Sequence, residues 1–251
     1  RFGGPPGGLY EATPVDTIFN PRITVDNRSN KLYGYDSGYS TVNAFAPYFI
    51  EENSILFGSA GGLVSYNGRG GANLGAGWRY YMQDIDRIVG LSAWYDFDAG
   101  HARSYNQIGL SFESLGRYLD LRMNGYVPIG QDTNVLSTTL AGPARFMANQ
   151  IRLNSLADTE TAMTGFDTEV GGPMPLFGKY GLSGYAGFYY FTSHSNRTDL
   201  TGVSGRLAWQ VNEDTNVGFQ VTDDHVFGTN TSIQVALTLP DGGSSRWFRQ
   251  P

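Results

Sequence analysis

The chain has 251 residues, a formal net charge of −6 at pH 7 and no cysteine, which excludes a disulfide scaffold and a thiolate metal site. Its 17 lysine and arginine residues are scattered, so nucleic acid is a poor candidate partner. No long apolar run is present, so the sequence predicts no membrane-spanning helix. The 34 glycines, 16 tyrosines and 15 phenylalanines favour sheets with tight turns, and we expect one structural unit.

Residues 1–38 largely lack the alternation of apolar and polar residues that marks a strand. They include a glycine- and proline-rich run at 3–8 and a polar run at 26–31. We therefore predict an irregular N-terminal leader over 1–38, within which 22–25 could form a short strand. The leader is either a flexible tail or a segment that closes or plugs a barrel.

The stretch 72–129 contains four successive segments in which apolar residues alternate with polar or small ones. In one segment, the first set is Val89, Leu91, Ala93, Tyr95 and Phe97, and the second is Gly90, Ser92, Trp94, Asp96 and Asp98. Successive side chains of a strand point to opposite faces of a sheet. Each segment therefore predicts a strand with one apolar face and one wet face.

A soluble β-sandwich and a membrane barrel both produce this alternation, so length and aromatic content must distinguish them. The segments run to roughly 11 to 14 residues, close to what a tilted strand needs to cross a bilayer and long for a globular strand. Aromatic residues cluster at segment ends, as in 78–81 and 94–97. Because such clusters are typical of the aromatic girdles of lipid-embedded barrels, the sequence favours a membrane barrel.

From Tyr39 onward, strand-like segments follow one another with short turns, as in an antiparallel meander. We predict twelve strands, at 39–50, 53–66, 71–82, 86–98, 103–114, 117–129, 144–155, 160–173, 179–192, 198–211, 214–224 and 229–239. The predicted fold class is all-β, a 12-stranded antiparallel up-and-down transmembrane β-barrel over 39–240. Residues 241–251 are then a C-terminal tail or the start of a linker through the pore.

The alternation also assigns side chains to the two faces of the barrel wall. The predicted lumen-lining polar residues are Arg79, Asp96, Arg103, Glu113, Asp120, Arg122, Arg152, Asp167, Glu169 and Arg206. The predicted lipid-facing residues are Val89, Leu91, Tyr95, Phe97, Leu119, Leu121, Met123, Val127, Ile233, Val235 and Leu237. Five arginines and five carboxylates would make a neutral lumen, suited either to a threaded peptide segment or simply to a water-filled interior.

Four stretches of this region resemble a known family. They are 73–81 (NLGAGWRYY), 89–98 (VGLSAWYDFD), 100–103 (GHAR) leading to 108–113 (IGLSFE), and 118–126 (YLDLRMNGY). In order and spacing they resemble the translocation barrel of the intimin and invasin family, the inverse autotransporters. Weaker similarity extends through 165–190 and 203–239.

This resemblance implies an outer-membrane barrel whose following segment passes back through the pore and carries an adhesive passenger. The implied partners are outer-membrane lipid, the barrel-assembly machinery that inserts the barrel, the chain's own C-terminal linker or passenger, and other envelope proteins. The implied location is the bacterial cell outer membrane. Residues 241–251 contain no immunoglobulin-like passenger, so we expect the first part of a linker or a barrel-only relative. The alternative function is a passive pore or a structural subunit of a larger outer-membrane assembly.

The predicted strand count raises a question of orientation. Twelve strands starting at Tyr39 put both chain ends on one side, expected to be the periplasm, together with the long connection 130–143. Simple outer-membrane barrels have short periplasmic turns and longer extracellular loops instead. Either the family's layout overrides that tendency, or the strand count is wrong by one.

The sequence predicts no enzyme, no cofactor and no metal site. His101, His194 and His225 are spread along the chain, and nothing in their spacing brings them together as metal ligands. The residues 193–196 hold the serine, histidine and asparagine found in outer-membrane phospholipases. Neighbours along a loop cannot hydrogen-bond in nucleophile-to-base order, so we do not predict hydrolysis.

Overall fold

The computed structural model describes residues 21–30, 37–50, 53–99, 101–147, 150–193, 199–212 and 214–239. The predicted tail 241–251 and the first twenty residues of the predicted leader lie outside these ranges. The strands of the barrel are β1 (Arg22–Arg28), β2 (Tyr39–Ile50), β3 (Ser54–Ser65), β4 (Gly70–Met82), β5 (Arg87–Asp98), β6 (Tyr105–Gly116), β7 (Asp120–Ile129), β10 (Thr164–Pro173), β11 (Leu182–Thr192), β12 (Asp199–Gln210), β13 (Thr215–Asp224) and β14 (Gly228–Leu239).

Two further strands, β8 (Thr133–Met147) and β9 (Gln150–Thr161), pair with each other outside the barrel wall. Two short 3-10 turns, Gln83–Ile85 and Gly178–Tyr180, join barrel strands. Among the residues that the structure describes, no helix has the length and apolar character needed to cross a membrane.

The twelve barrel strands form one closed antiparallel sheet, which confirms the predicted fold class. Neighbours in the sheet are consecutive along the chain with two exceptions: β1 pairs with β14, and β7 pairs with β10 because β8 and β9 are inserted between them. The barrel closes where β1 lies between β14 and β2: Val25 is opposite Leu237 on one side and Val42 on the other. No strand edge of the barrel is therefore left unpaired.

The predicted irregular leader 1–38 contains a complete barrel strand at 22–28, so the short strand expected at 22–25 is present but longer, and this part of the leader closes the barrel. The alternation is present but short, with Asp26 buried on the inner face. The polar Asn27 interrupts the apolar outer set and so weakens the alternation in the sequence. Its side chain points outward and donates a hydrogen bond to Ser40 on β2 (2.9 Å from Nδ2 to Oγ). A polar residue on the outer face is tolerated here because it lies near the strand end.

The seventh predicted strand, 144–155, is also wrong. It covers the end of β8 and the start of β9, which fold back on each other as a hairpin. The barrel wall continues without them, since Tyr126 of β7 is directly opposite Gly165 of β10. The barrel still has the predicted twelve strands, because β1 is an additional wall strand and the predicted strand 144–155 is not part of the wall.

The extra strand before Tyr39 reverses the expected position of the long connection. With β1 in the wall, the whole connection 130–163 between β7 and β10 lies at the end of the barrel opposite Arg22 and Leu239. Short turns such as 117–119 lie at the end that holds those two residues, which we call the terminus end. The expectation that 130–143 lies on the same side as the chain ends is wrong, and the arrangement has the short turns and long loops typical of simple outer-membrane barrels.

The outer surface of the barrel is apolar. Large exposed side chains such as Leu74 and Leu110, each 63% exposed, recur on the outer face of the described strands. Contiguous apolar surface of this kind marks contact with a membrane or a partner. Aromatic residues border it at the terminus end: the rings of Trp78 and Tyr80 stack at 5.9 Å, and Trp209 Nε1 donates to a backbone carbonyl oxygen in the adjacent turn. The wall is thus apolar outside and polar inside.

Candidate functional site in the barrel lumen

The structure places most of the predicted lumen-lining residues on the inner wall. These are Arg79, Asp96, Glu113, Asp120, Arg122, Asp167, Glu169 and Arg206. The prediction is corrected for the other two. Arg103 is exposed in the loop before β6, because that strand begins at Tyr105. Arg152 belongs to β9, outside the barrel wall, and its side chain lies outside the described residues.

The residues predicted to face lipid alternate with this inner set. Within the strands they are Val89, Leu91, Tyr95, Phe97, Leu121, Met123, Val127, Ile233, Val235 and Leu237, all on the outer face. Leu119 is exposed as well, but it lies in the turn that precedes β7.

Four further charged residues, absent from the predicted lumen-lining set, are buried on the inner face: Asp26, Arg28, Asp98 and Asp224. The first two were concealed in the predicted leader. The alternation had placed Asp98 on the wet face with Asp96, two residues away, although it was not among the predicted lumen-lining residues. With these residues included and Arg103 and Arg152 removed, described carboxylates outnumber described arginines on the inner wall. The lumen is therefore acidic rather than neutral.

The largest charged network in the lumen joins β7, β10, β11 and β12. Glu169 accepts two hydrogen bonds from Arg206, each 2.8 Å, and one from Arg122 at 3.3 Å. Arg122 also lies 3.8 Å from Asp120, which accepts a hydrogen bond from the Tyr185 hydroxyl at 3.2 Å. The Arg206 guanidinium stacks 4.1 Å from the centre of the Tyr185 ring. One carboxylate thus fixes two guanidinium groups against the wall, and charge-assisted bidentate pairs of this kind are strong.

A second ion pair links β4 to β6. Arg79 Nε donates to Glu113 across β5, where Gly90 lies between them in the register of the sheet. A Cβ at Gly90 would crowd the Glu113 side chain, so the glycine gives the carboxylate room to reach its partner. The other side of Arg79 rests on aromatic rings, with its guanidinium carbon 4.9 Å from the centre of Phe57 and 5.5 Å from that of Phe45.

Near the seam where β1 closes the barrel, amides hold the charged groups. Arg28 donates to Gln220 Oε1 at 3.0 Å and to Gln234 Oε1 at 2.8 Å. Gln234 in turn donates to Asp26 at 2.6 Å. This chain of hydrogen bonds crosses β1, β13 and β14, so it ties the first barrel strand to the last two.

Aromatic side chains lie along the inner wall because inward glycines leave space for them on the neighbouring strand. Trp94 covers Gly75, its partner across the ladder, and a Cβ at that glycine would overlap the indole ring. Tyr189 covers Gly202 in the same way. The Tyr189 hydroxyl then donates to Asp224 at 2.7 Å. Rings held in this manner lie against the wall instead of projecting across the lumen.

The arrangement offers charged groups and hydrogen-bonding groups for recognition. Within the described ranges, no group of three or more histidine, cysteine, aspartate or glutamate residues is placed to hold a metal ion. His101 Nε2 lies 3.5 Å from Asp98 Oδ2. Of the serine, histidine and asparagine at 193–196, all but Ser193 lie outside the described residues.

The sequence was compared with models of known protein families and with curated proteins. A family model described as the inverse autotransporter beta-domain matches residues 16–247. None of the curated proteins compared with the sequence matches it.

Several solved structures have a similar fold. A membrane protein from work on in-meso crystallization has a TM-score of 0.66 and 16% identity, covering 90% of this chain and 86% of that chain. An outer membrane channel from Pseudomonas putida F1 has a TM-score of 0.57 and 11% identity, covering 92% and 97%. Outer membrane phospholipase A from Escherichia coli has a TM-score of 0.46 and 10% identity, covering 88% and 92%. The similarity to the first two structures, at these identities, concerns the fold and not the activity.

Proposed function

Because the chain belongs to the inverse autotransporter β-domain family, we propose that it is a translocator of the bacterial outer membrane. The barrel anchors the protein in the membrane, and the segment that follows β14 passes back through the lumen to carry a passenger to the cell surface. The observation that carries this proposal is the family match over 16–247, which covers every strand of the barrel.

The geometry of the barrel supports this function. Ile23 and Leu239 are paired at the terminus end, so a segment that leaves β14 begins at the mouth of the lumen. The inner wall is polar and the aromatic rings on it lie against glycines, as at Gly75 and Gly202. A polar wall can exchange hydrogen bonds with a passing peptide, whose backbone carries a donor and an acceptor at nearly every residue.

The two surfaces of the wall support the proposed lipid and peptide partners. The apolar outer face contacts outer-membrane lipid, and the inner face contacts the chain's own C-terminal segment. The barrel-assembly machinery inserts the barrel, as it does other outer-membrane barrels. The protein acts without catalysis and without a cofactor.

Planar-bilayer conductance tests this proposal against a passive pore. The protein ending at Pro251 is compared with a variant lacking 241–251. A threaded barrel predicts a closed or intermittently conducting protein, and a steady channel once the segment is deleted. A steady channel of the same conductance in both forms would contradict the proposal and favour the pore.

A further inference from the structure

Three polar residues on neighbouring strands form a row of buried acceptors in the lumen. Asn73 of β4, Asp96 of β5 and Gln107 of β6 are direct partners across the ladder on the inner face. Asp96 is only 4% exposed and Gln107 only 1%. Both Asp96 carboxylate oxygens, Gln107 Oε1 and Asn73 Oδ1 are buried and accept no hydrogen bond from the described residues. We call these three residues the acceptor row.

The chemistry of the acceptor row indicates what it binds. A buried carboxylate without a partner is strongly unfavourable, and the great majority of buried polar atoms in proteins are hydrogen-bonded. A ligand that supplies hydrogen-bond donors and positive charge would satisfy these atoms. Calcium takes six to eight oxygen ligands, usually from several carboxylates, whereas this row has one carboxylate flanked by two amides. A guanidinium, with five donors in a plane, suits such a set better.

Trp94 adds a second feature that suits a guanidinium. It lies two residues before Asp96 on the same inner face, with its indole ring held over Gly75. Guanidinium groups stack on aromatic faces, and Arg206 already stacks on Tyr185 elsewhere in this lumen. A planar cation bound to Asp96 would have an aromatic surface next to it.

The arginines of the described inner wall are engaged elsewhere. Arg79 pairs with Glu113, and Arg122 and Arg206 share Glu169. Arg28 donates to Gln220 and Gln234. The segment that follows β14 contains two further arginines, Arg246 and Arg249, and no lysine.

The length of chain between Leu239 and each arginine decides which of the two can reach Asp96. Asp96 lies about nine residues along β5 from the terminus end, which for a tilted strand is roughly 21–25 Å along the barrel axis. An extended chain spans about 3.3–3.6 Å per residue, so Arg249 lies within roughly 33–36 Å of Leu239 and Arg246 within roughly 23–25 Å. Since β5 and β14 are on opposite sides of the barrel, the path must also cross the lumen. Arg249 reaches the acceptor row with length to spare, whereas Arg246 would need a fully extended chain.

We propose that the acceptor row binds the guanidinium of Arg249 and so holds the first part of the exported segment against β4, β5 and β6. This inference rests on the proposed function, because it requires the segment after Leu239 to turn back into the lumen.

A double-mutant cycle on thermal unfolding of the folded protein tests the pairing, with Asp96→Asn, Arg249→Gln and the double variant. Each single variant is expected to lower Tm by about 3–8 °C, and the double variant by no more than either alone. A rise in Tm for Asp96→Asn with no change for Arg249→Gln would overturn the proposal, because the carboxylate would then be unpaired. EDTA is also added to both proteins. If EDTA lowered the Tm of the unaltered protein but not that of Asp96→Asn, the proposal would be overturned in favour of a divalent cation.

Two controls sharpen the cycle. Asp84→Asn, in the exposed turn at the terminus end, is expected to leave Tm unchanged. The same cycle is repeated with Arg246→Gln in place of Arg249→Gln. If the Tm effects of Asp96→Asn and Arg246→Gln were coupled, and those of Asp96→Asn and Arg249→Gln were not, the assignment to Arg249 would be overturned.

Cross-linking gives a second measurement that does not depend on stability. The chain has no native cysteine, so any disulfide that forms must join the two engineered cysteines. Gln107→Cys with Gln250→Cys is expected to form a disulfide, whereas Ser232→Cys, on the inner face of β14, should not pair with Gln250→Cys. Equal disulfide yields for the two pairs would contradict the docking site.

Surface display of a passenger fused after Pro251 is measured in parallel. Display of the passenger without Asp96–Arg249 coupling would disprove the docking site alone. Coupling without display would disprove the proposed function.

Discussion

Glu169 holds two arginines at once, which makes it the residue on which the charged network of the lumen depends. Its partners Arg122 and Arg206 come from strands on either side of β10, and Arg206 is 8% exposed. Removing one member of such a network leaves buried charge without compensation, whereas an exposed pair contributes little.

Glu169→Gln is therefore expected to lower the free energy of unfolding by about 3 kcal/mol, because two guanidinium groups lose their carboxylate. Urea unfolding in lipid vesicles, followed by tryptophan fluorescence, measures this loss. Asp84→Asn serves as the control for removing a carboxylate that is exposed. Equal stability of Glu169→Gln and the unaltered protein would show that the network does not stabilise the barrel.

Gly75 determines where the Trp94 ring lies. Gly75→Val is expected to prevent the compact folded form or reduce its yield severely, because the added side chain would occupy the space of the indole ring. The heat-modifiable shift in gel mobility that folded barrels show is the measurement. Gly205→Val is a matched control, since nothing lies within 4 Å of a Cβ at that position. If both variants folded equally well, close approach of Trp94 would not be the reason for glycine at position 75.

The inner-wall residues could be predicted from the sequence wherever a strand was placed correctly, because the period of two then decides the face. Asp96 and Glu113 follow this rule. Arg103 fails because its strand starts two residues later, at Tyr105. The pairing of side chains could not be predicted, since partners such as Glu169 and Arg206 meet through a register that alternation does not encode.

Strand β1 closes the barrel, and six of its seven residues are paired on both sides. Val25→Pro is expected to abolish the folded barrel, because proline removes a ladder hydrogen bond and is confined to strand edges. The same gel-mobility shift measures the effect. Leu140→Pro in β8, which is outside the barrel wall, is the control and should fold normally. Normal folding of Val25→Pro would mean that β1 is dispensable for closure.

Two elements differ from the prediction for different physical reasons. Strand β1 has only seven residues and a polar Asn27 on its outer face, so its alternation is weak. The hairpin of β8 and β9 alternates like a barrel strand, because any antiparallel pair has the same period. Periodicity identifies strands, but only the closure of the sheet decides which of them form its wall.

The two ends of the barrel are different. Leu239 and the short turns lie at the terminus end, and the long connection 130–163 lies at the other. The lumen between them has more described carboxylates than arginines. A segment that enters after Leu239 would thus cross an acidic wall before it emerges among the long loops.

Protease accessibility of an epitope fused after Pro251 tests export through this lumen most directly. The fusion is expressed with a secretory signal, and intact cells are treated with external protease while barrel folding is followed by gel mobility. We predict that the epitope is cleaved at the cell surface while a periplasmic marker stays protected. An epitope that remains protected although the barrel is folded and inserted would contradict the proposed translocation.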